Sequence, residues 1–225
     1  MRGKLFLVPT PIGNLEDLTF RGLRILREVD HILTEDTRVT GRLLQEYNIP
    51  AKMIPFHQHN EHKALGNIVE RLKAGENLAM VTDAGTPGIS DPGFLIVREC
   101  AREEVEVECL PGATAFVPAL VASGIPCDRF TFEGFLPVKR GRRSRLEALA
   151  EEHRTMIFYE SPHRLLKTLT EFALVFGGER QASVSREISK MHEEHVRGKL
   201  EELCEIFSGR TVKGEISIVV SGLVV

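Results

Sequence analysis

Residues 76–93, ENLAMVTDAGTPGISDPG, decide how this chain is read. Residues 77–81 are an apolar run of the length of one buried strand. Turn chemistry follows at Asp83, Gly85, Thr86, Pro87, Gly88, Ser90, Asp91, Pro92 and Gly93. Glycine permits positive φ and close backbone approach, and proline stiffens a loop while withholding a donor. A helix is expected from Pro92, with Asp91 as its N-cap and Phe94, Ile96 and Val97 on its apolar side. The connection from Thr82 to Asp91 is longer than the about two to six residues such a junction needs. A long, stiff, polar loop at the carboxyl end of a buried strand is where open α/β sheets hold ligands. A merely decorated turn is the plainer alternative, and the loop's length argues against it.

The glycines at 85, 88 and 93 do not form the G-x-G-x-x-G dinucleotide fingerprint, and no G-x-x-x-x-G-K-[ST] phosphate loop occurs. The ligand is therefore expected to be something other than a nicotinamide or a nucleoside triphosphate.

Working outward, short apolar runs at 5–8, 31–33, 53–56 and 105–110 alternate with amphipathic stretches, which predicts a mostly parallel α/β sheet. Asn14 or Asp17 is expected to cap the first helix. The polar clusters PTPIGN, TEDTR, HQHNEH and TDAGTPGISD each follow a strand, so they should converge on one sheet edge. Pro111-Gly112 breaks the pattern and divides the chain into an N-terminal domain, 1–111, and a C-terminal domain, 112–225. The second reads as α/β with a mixed sheet: strands at 130–136, 155–159, 182–186 and 215–220, and helices at 113–123, 146–152, 162–176 and 200–207.

With 225 residues, a net charge of -3 and 27% charged residues, the chain has the composition of an ordinary soluble protein, not of a globally basic nucleic-acid binder. The four scattered cysteines show no C-x-x-C spacing, so reduced thiols in a cytoplasmic protein are expected and no metal site is. No apolar run has the length of a membrane span.

Lys139, Arg140, Arg142, Arg143 and Arg145 form a basic patch read as a glycine-containing loop, 137–145. Most such runs are solvated turns, but clustered cations on a slightly acidic protein favour a phosphate-rich partner. Glu35, Asp36 and Arg38 stand at a strand end, where acids also serve simply to complement a helix dipole. His57, His59 and His62 lack the spacing of a helical metal pair. In FYESPHR, Ser161 is expected to cap a helix with Pro162 in its first turn, near Glu160, His163 and Arg164. Arg186, Glu187 and Lys190 follow another strand end. For both sets local charge pairing explains the residues as well as function does.

VPTPIGNLEDLT, TEDTR, VTDAGTPGISDPG, LPGATAFVPAL, FYESPHR, SREISK and KGEISIVV, in that order, closely resemble the ribosomal-RNA-modifying members of the tetrapyrrole-methylase-like (class III) S-adenosylmethionine-dependent superfamily. The resemblance implies two α/β domains with the methyl donor in a cleft between them, usually in a homodimer. It implies 2′-O-ribose methylation of a cytidine in small-subunit ribosomal RNA, on naked RNA or on the assembled subunit. By position, the donor contacts would be Asp83, Ala84, Gly85, Thr86, Pro87, Ile89 and Ser90, continued by Thr114, Ala115, Tyr159 and Gly214. Pro11 and Gly13 would lie on the substrate side.

Methyl transfer to a ribose hydroxyl needs in-line placement and help in removing the proton. Glu35, Asp36, His59 and Glu160 are the candidates, and nothing in the sequence chooses among them. Arg38, Arg164, Arg186, Lys190 and the basic patch would hold RNA. A small-molecule methylase would have no use for that patch, and a non-catalytic assembly factor would have none for the donor loop.

Overall fold

The computed structural model describes residues 2–50 and 52–223. The chain divides into two compact units, Met1–Thr114 and Ala115–Val225. The first extends three residues past the expected break after Pro111 because the segment is tied inward. Thr86 Oγ1 donates to the Ala113 carbonyl at 3.0 Å, and a Cβ on Gly112 would stand 2.7 Å from the Pro9 ring.

In the first unit, β1 (Lys4–Leu7), α1 (Phe20–Glu28), β2 (His31–Thr34), α2 (Thr37–Glu46), β3 (Met53–Pro55), α3 (Glu61–Lys73), β4 (Leu78–Val81), α4 (Phe94–Arg102) and β5 (Glu106–Cys109) follow in order. The strands form one sheet, β3-β2-β4-β1-β5, parallel throughout. Residues 78–81 of β4 are buried on both faces, as an apolar run at the centre of a parallel sheet must be. Ile25, Leu26 and Leu44 of α1 and α2 pack on one face with Ile32 and Val81. Ile68, Leu72, Ile96 and Cys100 of α3 and α4 pack on the other with Leu5, Leu33 and Met80. Each such leucine, isoleucine, valine or methionine side chain taken fully from water contributes about 1.5–3 kcal/mol.

This arrangement fixes the ligand edge. From β1 the chain crosses to β2 by way of α1, and from β4 it crosses to β5 on the opposite face by way of α4. Neighbouring strands β1 and β4 thus send their connections in opposite directions, which opens a crevice at their carboxyl ends.

The second unit contains α5 (Phe116–Ser123), β6 (Phe130–Phe135), α6 (Arg142–Leu149), β7 (Thr155–Glu160), α7 (Leu165–Phe176), β8 (Gln181–Arg186), β9 (Glu194–Lys199), α8 (Leu200–Ser208) and β10 (Ile216–Val220). Its sheet runs β6-β7-β10-β8-β9, parallel only between β6 and β7. Leu146, Phe158, Phe172, Leu203 and Ile218 belong to the core under α6, α7 and α8, and Ala119 and Leu120 of α5 pack with Ile157 and Val219 on a separate cluster.

Several local expectations are corrected. Asn14 caps only a short 3-10 turn, Leu15–Asp17, and α1 starts after Thr19, whose hydroxyl accepts from Gly22 N. Asp91 does not cap α4, which begins at Phe94 after Gly93. The Gly88 N–H donates to the Pro92 carbonyl at 3.0 Å, closing the loop and holding Pro92 outside the helix. α7 begins at Leu165, not at Pro162, because the Glu160 carboxylate takes the Ser161 N–H at 2.7 Å and bends the entry. The basic segment is not one loop, since Arg142, Arg143 and Arg145 lie in α6. β9, EHVRGK, was not anticipated; it is a polar edge strand held by backbone pairing with β8.

The contact of Gly112 with Pro9 gives a test. Gly112→Ala forces a methyl against a rigid ring and is expected to cost about 1–3 kcal/mol in denaturant unfolding.

Candidate active site

The crevice between β1 and β4 is closed by backbone. Thr10 N donates to the Gly85 carbonyl at 2.9 Å and Gly85 N returns the bond to Thr10 at 3.0 Å. Thr10 Oγ1 adds a buried bond to the Thr82 carbonyl at 3.0 Å. Gly85 sits at φ +81°, a conformation L side chains rarely adopt, which lets the loop turn back across the strand end. Ile12 lies against this glycine, so the loop carrying Pro11 and Gly13 flanks the loop carrying Asp83 to Ser90. At Gly88 the position of a Cβ has no described atom within 4 Å, leaving the loop backbone open on that side.

Carboxylates from two strand ends meet beside this loop. Glu35 lies close to the Asp83 backbone and Asp83 close to that of Asp36, each amide favouring the ionised carboxylate beside it. Partial burial, then the charge of Asp83, pushes the Glu35 carboxyl above its ordinary value. Partial burial raises Asp83 too. Asp91 is pushed up to about 7 by burial, with the charges of Glu35 and Asp83 adding to it. Asp36 behaves oppositely. Its carboxylate takes Arg38 Nη2 at 2.6 Å and Arg38 N at 2.8 Å, which holds it well below the usual carboxylate range, and it caps α2. Its proton affinity is too low for a base. His57 approaches Glu35 closely enough to oppose the rise, and its buried Nδ1 has no hydrogen-bond partner among the described residues. His59 is exposed, its ring 6.0 Å from that of His57.

Residues 4–204 match the family described as tetrapyrrole (corrin/porphyrin) methylases. The chain belongs to that family. It is 49% identical over 98% of its length to the ribosomal RNA small subunit methyltransferase I of Synechocystis sp., covering 79% of that protein. To the Thermotoga maritima protein of the same name it is 47% identical, over 98% of this chain and 99% of the relative. Its fold matches those of a cobalt precorrin-4 methyltransferase (TM-score 0.69, 20% identity, 97% and 94% of the two chains) and a diphthine synthase (TM-score 0.75, 15% identity, 97% and 90%). It also matches uroporphyrin-III C-methyltransferase from Thermus thermophilus complexed with S-adenosyl homocysteine (TM-score 0.65, 21% identity, 96% and 97%).

In this methylase the remaining expected site residues divide into free and committed groups. Glu160, a candidate for proton removal, is committed. Its buried carboxylate accepts from Ser161 N, Arg164 Nε at 2.8 Å, Arg164 Nη2 at 2.7 Å and Thr168 Oγ1 at 2.7 Å. Arg142 is also committed. It is buried, donating to Glu171 at 2.7 Å, to Thr168 Oγ1 at 2.7 Å and to the Pro137 carbonyl at 3.2 Å. Arg145 pairs with Glu133, Arg186 with Glu194, and Lys190 with Glu187 and Glu215. Lys139 and Arg140 are exposed and make no ion pair among the described residues. Arg38 exposes 84% of its side chain although it pairs with Asp36. Thr114 and Ala115 stand at the junction of the units. Tyr159 packs against Phe132 and Phe135, and Gly214 lies beside Glu187. Among the described residues, no cluster of His, Cys, Asp and Glu has the geometry of a metal site and no helix is long and apolar enough to cross a membrane.

Two outcomes follow. Glu160→Ala leaves Arg142 and Arg164 facing an emptied site and is expected to lower stability by about 3–5 kcal/mol in chemical denaturation. Because the folded-state affinity of Asp91 for its proton is raised, folding holds that proton as pH climbs from about 4 to about 7, and stability falls across that window. Asp91→Asn should therefore raise Tm at pH 8 and leave it nearly unchanged at pH 4 by calorimetry.

Proposed function

We propose that this methylase transfers a methyl group from S-adenosylmethionine to the ribose 2′-oxygen of a cytidine in small-subunit ribosomal RNA, acting as a homodimer in the cytoplasm. The observation carrying this reading is the convergence of Glu35, Asp83 and Asp91 beside the open-backed loop at 85–90. When bound, S-adenosylmethionine supplies an electrophilic methyl on a positively charged sulfur.

The residues present suit that ligand. Three crowded carboxylates repel one another, and a ligand carrying a sulfonium and an ammonium relieves that repulsion. The loop presents its backbone where side chains are absent, so that a ligand can approach closely. Glu35 is the residue best placed to take the hydroxyl proton. Its raised proton affinity brings it toward the operating pH, where a general base works best, and no side chain among the described residues ties its carboxylate down by a hydrogen bond. The Glu35 carboxylate would take the hydroxyl proton as the ribose oxygen accepts the methyl and the donor leaves as a neutral thioether. Asp36 instead orients Arg38, whose exposed guanidinium is free to meet a phosphate. The names of the relatives support ribosomal RNA as the acceptor class, and the exposed Lys139 and Arg140 agree with a polyanionic substrate.

The test is transfer of labelled methyl from S-adenosylmethionine to small ribosomal subunits lacking their native methylations, followed by mapping of the labelled nucleotide. Label is expected at one 2′-oxygen. Glu35→Gln should lower kcat by about 10²–10⁴-fold with donor affinity nearly kept. No label on any RNA, with donor binding intact, would move the acceptor to the small-molecule class.

A further inference from the structure

The second unit carries a feature that methyl transfer does not use. Between α6 and α7 lies an open groove of about 540 Å³. It is lined by buried Leu146, by exposed Val138 and Leu174, and by the cations Lys139, Arg143 and Lys167. Leu174 is 85% exposed and Val138 is 61% exposed, unusual for branched aliphatic side chains that share one depression.

The charge around this groove is unbalanced. The groove's two carboxylates are already answered: Glu171 receives buried Arg142 at 2.7 Å, and Glu147 receives Arg143 at 2.7 Å. Lys167 stands 3.9 Å from the same Glu171, which has a closer partner, and Lys139 and its neighbour Arg140 make no ion pair among the described residues. The surplus is cationic.

We infer that this groove is a binding site for single-stranded RNA, seating a base against the exposed Val138 and Leu174 side chains while the Lys139, Arg140 and Lys167 side chains hold the flanking phosphates. The inference rests on the RNA reading given above and names a second place where the strand is held. An unpaired strand offers both things the groove lacks, a flat apolar face and regularly spaced negative charge. Arg143, with 91% of its side chain exposed, can lay its guanidinium plane on that base. A duplex would present phosphates without an accessible base face. A docking helix would need anchors continued over several turns, whereas the exposed aliphatic side chains in the groove are Val138 and Leu174.

Two variants separate the contributions, and both are at exposed positions where folding is undisturbed, as unchanged Tm would verify. Lys167→Gln and Leu174→Ala are made in the full chain. Binding is measured against a fluorescein-labelled single-stranded RNA oligonucleotide across a salt series, and against the small ribosomal subunit. Leu174→Ala is expected to weaken the oligonucleotide about fivefold with the salt slope unchanged. Lys167→Gln should weaken binding and make the slope of log K against log salt shallower by about 1. Wild-type affinity and slope in both variants, while Arg38→Gln still weakens binding, would overturn the groove and leave the RNA reading intact. Weakening confined to the assembled subunit would assign the groove to a ribosomal protein and overturn the proposal equally. Failure of the wild-type chain to bind either probe would overturn the RNA reading itself.

Discussion

Two backbone hydrogen bonds between Thr10 and Gly85 hold the ends of β1 and β4 together where their connections part. Everything at the candidate site depends on that closure. The strands are parallel neighbours inside a sheet buried on both faces, so their loops emerge side by side with nothing else to keep them in register. Left open, the loop from Thr82 to Gly93 would be a long segment with the entropy cost of its length. Bridged at Gly85 and closed again between Gly88 and Pro92, it becomes two short turns. The contact between Gly112 and Pro9 belongs to the same constraint, because it brings the segment after β5 against the loop that follows β1.

The closure has an electrostatic consequence. Once the loops are in register, Glu35 stands near Asp83 and Asp83 near Asp36, with Asp91 within range of both Glu35 and Asp83. Amides compensate part of the charge, and Arg38 neutralises Asp36 alone. The other carboxyls are left with raised proton affinity, a state that lowers stability near neutral pH. Packing does not require such a group, since an asparagine at 91 would fill the same space. What favours keeping it is chemistry with a cation and a mobile proton.

Much of this was legible in the sequence. Alternating apolar runs and turn clusters gave the parallel half of the fold and placed four polar clusters on one edge, since strand period and turn chemistry are local properties. The placement of the candidate residues was legible to the same depth: Glu35 and Asp83 follow strands, and strand ends are visible in one dimension. Asp91 was not, because its placement follows from the loop folding back on itself, which draws a presumed cap away from its helix. Glu160 looked as free as Glu35, and only three-dimensional packing shows that Arg164, Thr168 and the Ser161 amide have taken up its carboxylate. β9 has no apolar alternation to announce it and exists through its ladder with β8.

The basic segment shows why charge counting reaches its limit there. Arg142 and Arg143 are adjacent in sequence and identical in type, yet the helical turn of about 100° per residue sends one into the core and the other into solvent. The inward one is spent on Glu171 and Thr168 and joins α6 to α7. By joining those helices it also forms the wall of the groove that the outward cations line. A buried ion pair is a weak source of net stability, but it fixes geometry strongly, since neither partner tolerates the loss of the other. The position of the free charges therefore follows from the charges that are not free. On a protein with a net charge of -3, attraction for a polyanion cannot come from the overall field and must come from such local placement.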